Sequence, residues 1–129
     1  MGQVKGVGTD LVSLERFRAS LERYGEAFRR RVFTDDELDR VGKGPRTAER
    51  LAARFAAKEA VMKLLGTGWG ADVAFRDVEV VGGGDERPVL RLTGGAARVA
   101  ADQGIEELHL SLSHDAGMAV AFVVGCTAS

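Results

Sequence analysis

Three short stretches carry the residues whose types and spacing suit them for chemistry: GVGTD at 6–10, RFAAKEAVMKLLGTG at 54–68 and LSLSHD at 110–115. Between them they hold the carboxylates of Asp10, Glu59 and Asp115, the cations Arg54, Lys58 and Lys63, and the imidazole of His114. Such side chains coordinate ions, bind anions or move protons, and Gly6, Gly8, Gly66 and Gly68 open the backbone beside them. Each stretch also has an ordinary explanation. Asp10 lies between a strand and a helix, where a turn or cap residue belongs. Glu59 and Lys63 are four apart in the favoured order, and as a surface pair would contribute about 0.3–0.5 kcal/mol. His114 and Asp115 fit a hydrogen-bonded turn, Gly66 and Gly68 a helix end, Trp69 packing, His109 a solvated strand face and Cys126 an inert thiol.

The elements that must position these groups follow from periodicity. VKGVGTD, 4–10, reads as a first strand whose Gly6 and Gly8 admit a close neighbour. Leu14, Phe17, Leu21, Tyr24 and Phe28 recur at helical steps, with Arg16, Arg23 and Arg30 on another face and Gly25 as an interruption. Thr34 and Glu37 form a capping-box pattern opening a short helix. Thr47 is placed to cap a long helix running to about Leu65, and Gly66 to end it. Stepping 100° per residue, Leu51, Phe55, Val61, Met62 and Leu65 fall within about 60° of Lys58, with Arg54 beside them. That helix has almost no solvent face, so Lys58 and Arg54 either extend their charges outward along apolar stems or serve a function. Strands near 75–81 and 88–92, a helix near 95–103, and two strands joined by a turn at Asp115–Gly117 complete the reading. The order β-α-α-α-β-β-α-β-β predicts one α+β domain over 1–129, a small mainly antiparallel sheet packed on a long helix.

Composition narrows the classes. Apolar residues make up 45% and charged residues 29%, which suits a soluble globular chain. The longest apolar run, 116–124, falls far short of the roughly 20 residues a spanning helix needs, and the N-terminus lacks the apolar core of a secretory signal. A cytoplasmic protein without membrane association is expected. Cys126 is the only cysteine, which excludes an internal disulfide or a cluster of thiolates. The net charge of −1 argues against nucleic acid as a partner, as does the 6% aromatic content. Residues 1–63 nevertheless hold 14 basic against 10 acidic side chains, whereas 64–129 hold 4 against 9. A basic front half suits an acidic protein or a phosphorylated ligand.

In this order the stretches resemble the holo-(acyl-carrier-protein) synthase family of 4′-phosphopantetheinyl transferases. The family's G-x-G-x-D matches Gly6, Gly8 and Asp10, and its R-F-A-A-K-E-A…K…G-T-G core matches Arg54 through Gly68. Its S-x-S-H strand end matches Ser111, Ser113 and His114, and RVFTDDEL at 31–38 is similar to its segment before the long helix. The resemblance implies transfer of phosphopantetheine from coenzyme A to a serine of an acidic apo-acyl carrier protein, releasing adenosine 3′,5′-bisphosphate. It implies magnesium as cofactor on Asp10 and Glu59, with Glu59, Lys63, His114 and Asp115 as catalytic candidates. Coenzyme A contacts are implied for Arg54, Lys58, Lys63, Gly66, Gly68, Pro88, Ser113 and His114, and carrier docking for Arg16 and Arg23. The serine proton would go to a water held by the metal and Glu59, or to His114 with Asp115 as its orienting partner. GGGDER before Pro88 departs from the family's commoner Gly-Lys-Pro ending. A homotrimer with sites at the subunit boundaries is implied too, which would explain a long helix without a solvent face. A catalytically silent binding module is the competing reading.

Overall fold

Ser13 marks the point where the first strand becomes a helix, since its Oγ accepts the backbone N–H of Arg16 (3.3 Å) as an N-cap. The structure is a computed structural model and describes residues 2–70, 72–83 and 86–128. Strand β1 (Val4–Ser13) leads into helices α1 (Leu14–Val32), α2 (Asp35–Val41) and α3 (Thr47–Leu65). A 3₁₀ turn (Phe75–Asp77), the hairpin β2 (Val78–Gly83) and β3 (Glu86–Leu92), helix α4 (Gly94–Asp102) and the hairpin β4 (Glu107–Asp115) and β5 (Met118–Cys126) follow. The α+β class and the expected order of elements are both observed. The strands divide into two antiparallel sheets, β1-β5-β4 and β2-β3.

Helix α3 is the centre of the molecule. One side lies on the β1-β5-β4 sheet, and the others meet α1, α2 and β2. Gly8 makes the sheet contact possible: a Cβ there would lie 1.9 Å from the carbonyl oxygen of Ala60. The close neighbour predicted for this strand is thus the chain's own helix. Phe17, Phe28, Phe55 and Phe75 fill the seam between α1, α3 and the 3₁₀ turn with ring centroids 5.6–6.2 Å apart. Twelve of the nineteen α3 residues are buried this way. The missing solvent face therefore needs no neighbouring subunit, and that part of the sequence argument is corrected.

Local signals translate unevenly. Gly25 does interrupt α1, adopting φ 55° and ψ −135°, a combination costly for any residue with a Cβ. The Thr34–Glu37 capping box is present, and Gly66 closes α3 in the left-handed conformation. Thr47 does not cap α3, however. It is the first helical residue, and its hydroxyl instead ties the preceding loop, accepting from Gly44 N–H (3.0 Å) and donating to Gly42 O (3.1 Å). At the β4–β5 turn, Ala116 and Gly117 both have positive φ (49° and 74°), as a two-residue hairpin of the primed type requires.

Candidate active site

Asp10 projects from β1 toward α3 because Gly8, Asp10 and Val12 share the strand face that packs on the helix. Its Oδ1 accepts a hydrogen bond from the Lys63 ammonium at 2.8 Å, and the Asp10 side chain is only 15% exposed. Glu59, one helical turn before Lys63, does not pair with it. Glu59 Oε1 instead accepts from the indole N–H of Trp69 at 3.0 Å. The surface-pair explanation of Glu59 and Lys63 therefore fails, since each has a partner from another part of the chain.

Trp69 is held by stacking on Phe75, centroids 3.9 Å apart, so the glycine-rich loop after α3 is pinned over Glu59. Burial raises the Glu59 carboxyl above the usual carboxylate range; Asp10 adds to the shift, while the Trp69 bond and Lys63 oppose it. Asp10 and Glu59 border one cleft of about 440 Å³, together with Arg16, Ser13, Phe55 and Met118. Two carboxylates and an ammonium thus converge beside an open, partly apolar cleft, an arrangement suited to an ion and an anionic ligand.

Lys58 and Arg54 do not extend into solvent. The Lys58 ammonium donates to Glu37 Oε1 (2.7 Å) and to the carbonyl oxygens of Phe75 (3.2 Å) and Val78, with no exposed surface. Burial lowers its pKa, and Glu37 opposes that shift. Glu37 also accepts from the N–H groups of Thr34 and Val80, so α2, α3 and β2 share one buried polar node. A buried, satisfied ammonium has no surface to offer coenzyme A, and Lys58 is a core residue here. Arg54, 5% exposed, donates to Gly82 O at 2.8 Å and to Arg50 O at 3.4 Å, leaving its Nε without a partner. It braces the end of the β2–β3 hairpin.

The remaining candidates occupy separate places. Gly66 and Gly68 present open backbone, since an added Cβ on either would meet nothing within 4 Å. Pro88 is half-buried on β3, beyond the GGGDER turn, whose residues 84 and 85 lie outside the described residues. His114 lines a pocket of about 160 Å³ with Leu14, Glu49, Ala52 and Met118, on the α3 side of the sheet. Ser113 and Asp115, its neighbours along β4, lie on the opposite face by strand alternation. Asp115 therefore does not orient His114, which corrects that expectation. Ala52, at the His114 pocket, is about 10 Å along α3 from Glu59, so the imidazole lies in a pocket next to the Asp10–Glu59 cleft rather than in its lining, with Met118 bordering both. Arg16 and Arg23 are exposed on α1; Arg16 borders the cleft, and Arg23 lies over the Tyr24 ring (5.4 Å).

The sequence model described as the 4′-phosphopantetheinyl transferase superfamily matches residues 6–122. The chain belongs to this superfamily. A holo-(acyl-carrier-protein) synthase of Halothermothrix orenii is 41% identical over 122 residues, covering 95% of this chain and 97% of its own length. A crystal structure of the holo-(acyl-carrier-protein) synthase of Neisseria meningitidis superposes with TM-score 0.85 at 34% identity, covering 95% of this chain and 98% of the other. The Bacillus anthracis holo-(acyl-carrier-protein) synthase, solved in complex with CoA (3′,5′-ADP), gives TM-score 0.77 at 35% identity, covering 97% and 98%.

For a chain of the 4′-phosphopantetheinyl transferase superfamily, sequence reasoning missed two residues that shape this site. Trp69 reads as packing in the sequence, yet its N–H bonds Glu59. Glu37 reads as part of a capping box, yet the same carboxylate also pairs with Lys58. Glu37 had a faint signal: Lys58 on an apolar stripe demands a buried anion somewhere, and only the fold says which.

Proposed function

We propose that this chain, acting as one domain over residues 1–129, transfers 4′-phosphopantetheine from coenzyme A to a serine of an apo-acyl carrier protein. The observation that carries the reading is the convergence of Asp10, Glu59 and Lys63 at one cleft, on the residues through which the chain resembles holo-(acyl-carrier-protein) synthases. The relatives' names and the coenzyme A complex of the Bacillus anthracis protein support the substrates.

Asp10 and Glu59 fit magnesium as hard oxygen donors. The charge of Asp10 already makes Glu59 harder to ionise, a repulsion that a dication bound by both would relieve. Bound magnesium would supply charge neutralisation at the pyrophosphate of coenzyme A. Lys63, 57% exposed, can release Asp10 and meet pyrophosphate oxygens, and the open backbone of Gly66–Gly68 lies at the end of the same helix. The serine oxygen bonds to the phosphorus that bears pantetheine as the pyrophosphate P–O bond breaks, and adenosine 3′,5′-bisphosphate leaves. Proton removal falls to a water held against Glu59 or to His114; a pH profile of His114→Ala separates the two.

The exposed face of the β1-β5-β4 sheet supports a homotrimer. Val7 (56%), Leu11 (60%) and Phe122 (47%) lie on it, an apolar surface on the side away from α3. The absence of His114 from the lining of the Asp10–Glu59 cleft, and the placement of Ser113 on the opposite sheet face, support sites completed by a second copy. Among the described residues no helix is long and apolar enough to cross a membrane, and a cytoplasmic enzyme is the accompanying proposal.

The test is the intact mass of an apo-acyl carrier protein incubated with this protein, coenzyme A and magnesium. A gain of one phosphopantetheine, lost on chelation, is expected. An unmodified carrier, across several carriers and with correctly assembled protein, would leave the silent binding module as the surviving reading.

A further inference from the structure

The far end of the β4–β5 ladder, on the sheet face that carries Phe122 but two alternate positions beyond the Ser111–Phe122 pair, holds a cluster outside the Asp10–Glu59 cleft. Strand alternation puts Glu107 and His109 on one face of β4, and the register sets Cys126 directly opposite Glu107 as the terminal pair. Adjacent to that pair, the N–H of Glu106 donates to Cys126 O at 2.9 Å, which pins the register there. Cys126 Sγ lies 3.8 Å from Glu107 Oε2, and His109 Nε2 lies 3.5 Å from the same oxygen. All three donor atoms lie within 4.8 Å of one another.

We infer that Glu107, His109 and Cys126 form a binding site for a divalent transition-metal ion of the zinc type. A tetrahedral zinc ion with ordinary bond lengths separates thiolate from carboxylate oxygen by about 3.6 Å and imidazole nitrogen from carboxylate oxygen by about 3.3 Å. Two of the three edges therefore stand within a few tenths of an ångström of a coordinated geometry. The third closes by a small rotation of the exposed His109 side chain. The donor set is one oxygen, one nitrogen and one sulfur, which selects zinc or cobalt(II) over magnesium. Among the described residues Glu107 has no ion-pair partner other than His109, so no lysine or arginine already neutralises it. Metal binding would release the thiol proton and any proton shared between His109 and Glu107, and water would complete the shell. The lone cysteine excludes a thiolate cluster but not this mixed site. Backbone pairing brings together donors up to 19 residues apart in sequence.

The test is a cobalt(II) titration of the assembled protein in saturating magnesium, followed by visible and near-ultraviolet absorption. One equivalent per chain is expected to give a thiolate-to-cobalt charge-transfer band and the visible bands of four-coordinate cobalt. Zinc should abolish both, and Cys126→Ser should lack the charge-transfer band. Zinc affinity should fall more than about tenfold in His109→Gln and in Glu107→Gln, since even an outer-shell partner of a metal ligand costs about that much. Cobalt binding without a thiolate band, or unchanged zinc affinity in folded Cys126→Ser and His109→Gln, would overturn the site. No cysteine lines the Asp10–Glu59 cleft, so metal bound there cannot produce that band. Cys126→Ser should also modify carrier protein at the parent rate, so failure of this site and failure of the transferase reading are told apart.

Discussion

The Lys58 ammonium lies 2.7 Å from Glu37 Oε1, and neither side chain has any exposed surface. Removing one member strands the other charge in the core. Lys58→Ala is expected to destabilise the fold by about 3–5 kcal/mol in denaturant melts, whereas Lys58→Met combined with Glu37→Gln should recover much of that loss. A Lys58→Met protein with parental stability and weakened only for coenzyme A would return Lys58 to the ligand site.

Trp69→Phe isolates the indole N–H, because a phenyl ring keeps the stack on Phe75. The N–H stabilises the Glu59 carboxylate, so its loss moves a carboxyl already above its usual range further upward. If Glu59 must be ionised for transfer, the acid limb of the kcat/KM profile shifts to higher pH. A lower plateau with an unshifted limb would leave Trp69 a purely structural role.

Glu59→Gln separates stability from activity. Burial raises the folded-state pKa of Glu59 above the unfolded value, so the protonated group favours the fold at acidic pH. That contribution is complete below the unfolded pKa and is lost as pH rises through the folded one. At neutral pH without metal, the ionised carboxylate is therefore an unfavourable neighbour for Asp10. The glutamine variant should melt at or above the parent temperature, yet lose transfer and any magnesium-induced rise in Tm. A parent whose Tm ignores magnesium at neutral pH would remove Glu59 and Asp10 from the metal proposal.

Arg16→Glu and Arg23→Glu test carrier docking on α1. Both side chains are exposed, and α1 carries six of the chain's basic residues. Charge reversal should raise KM for an acidic carrier at low salt and leave KM for coenzyme A unchanged, because steering acts on encounter. Equal carrier kinetics for parent and variants would place docking elsewhere.

Phe122→Glu tests the uncovered sheet face. Phe122 is 47% exposed on the side of β5 away from α3, so a charge there costs an isolated chain little. Sedimentation should show the parent as a trimer and the variant as smaller species with reduced transfer. A monomeric parent with full activity would end the trimer proposal.

The sequence by itself determined what short-range physics encodes. The α+β order, the Thr34–Glu37 capping box, the interruption at Gly25 and the close of α3 at Gly66 depend on neighbours a few residues away. The resemblance carried by Gly6 to Asp10, Arg54 to Gly68 and Ser111 to His114 likewise survives without coordinates. Partnership was a different matter. Glu37 answers Lys58 across 21 residues, Trp69 reaches Glu59 across 10, and Lys63 takes Asp10 across 53 rather than Glu59 one turn away. Those choices follow from how closely β1 packs on α3 at Gly8, where the 3₁₀ turn sets Phe75, and the register of β4 on β5. Tertiary structure alone decides them, because a side chain's partner is set by packing in space, and period and propensity describe only the element it starts from.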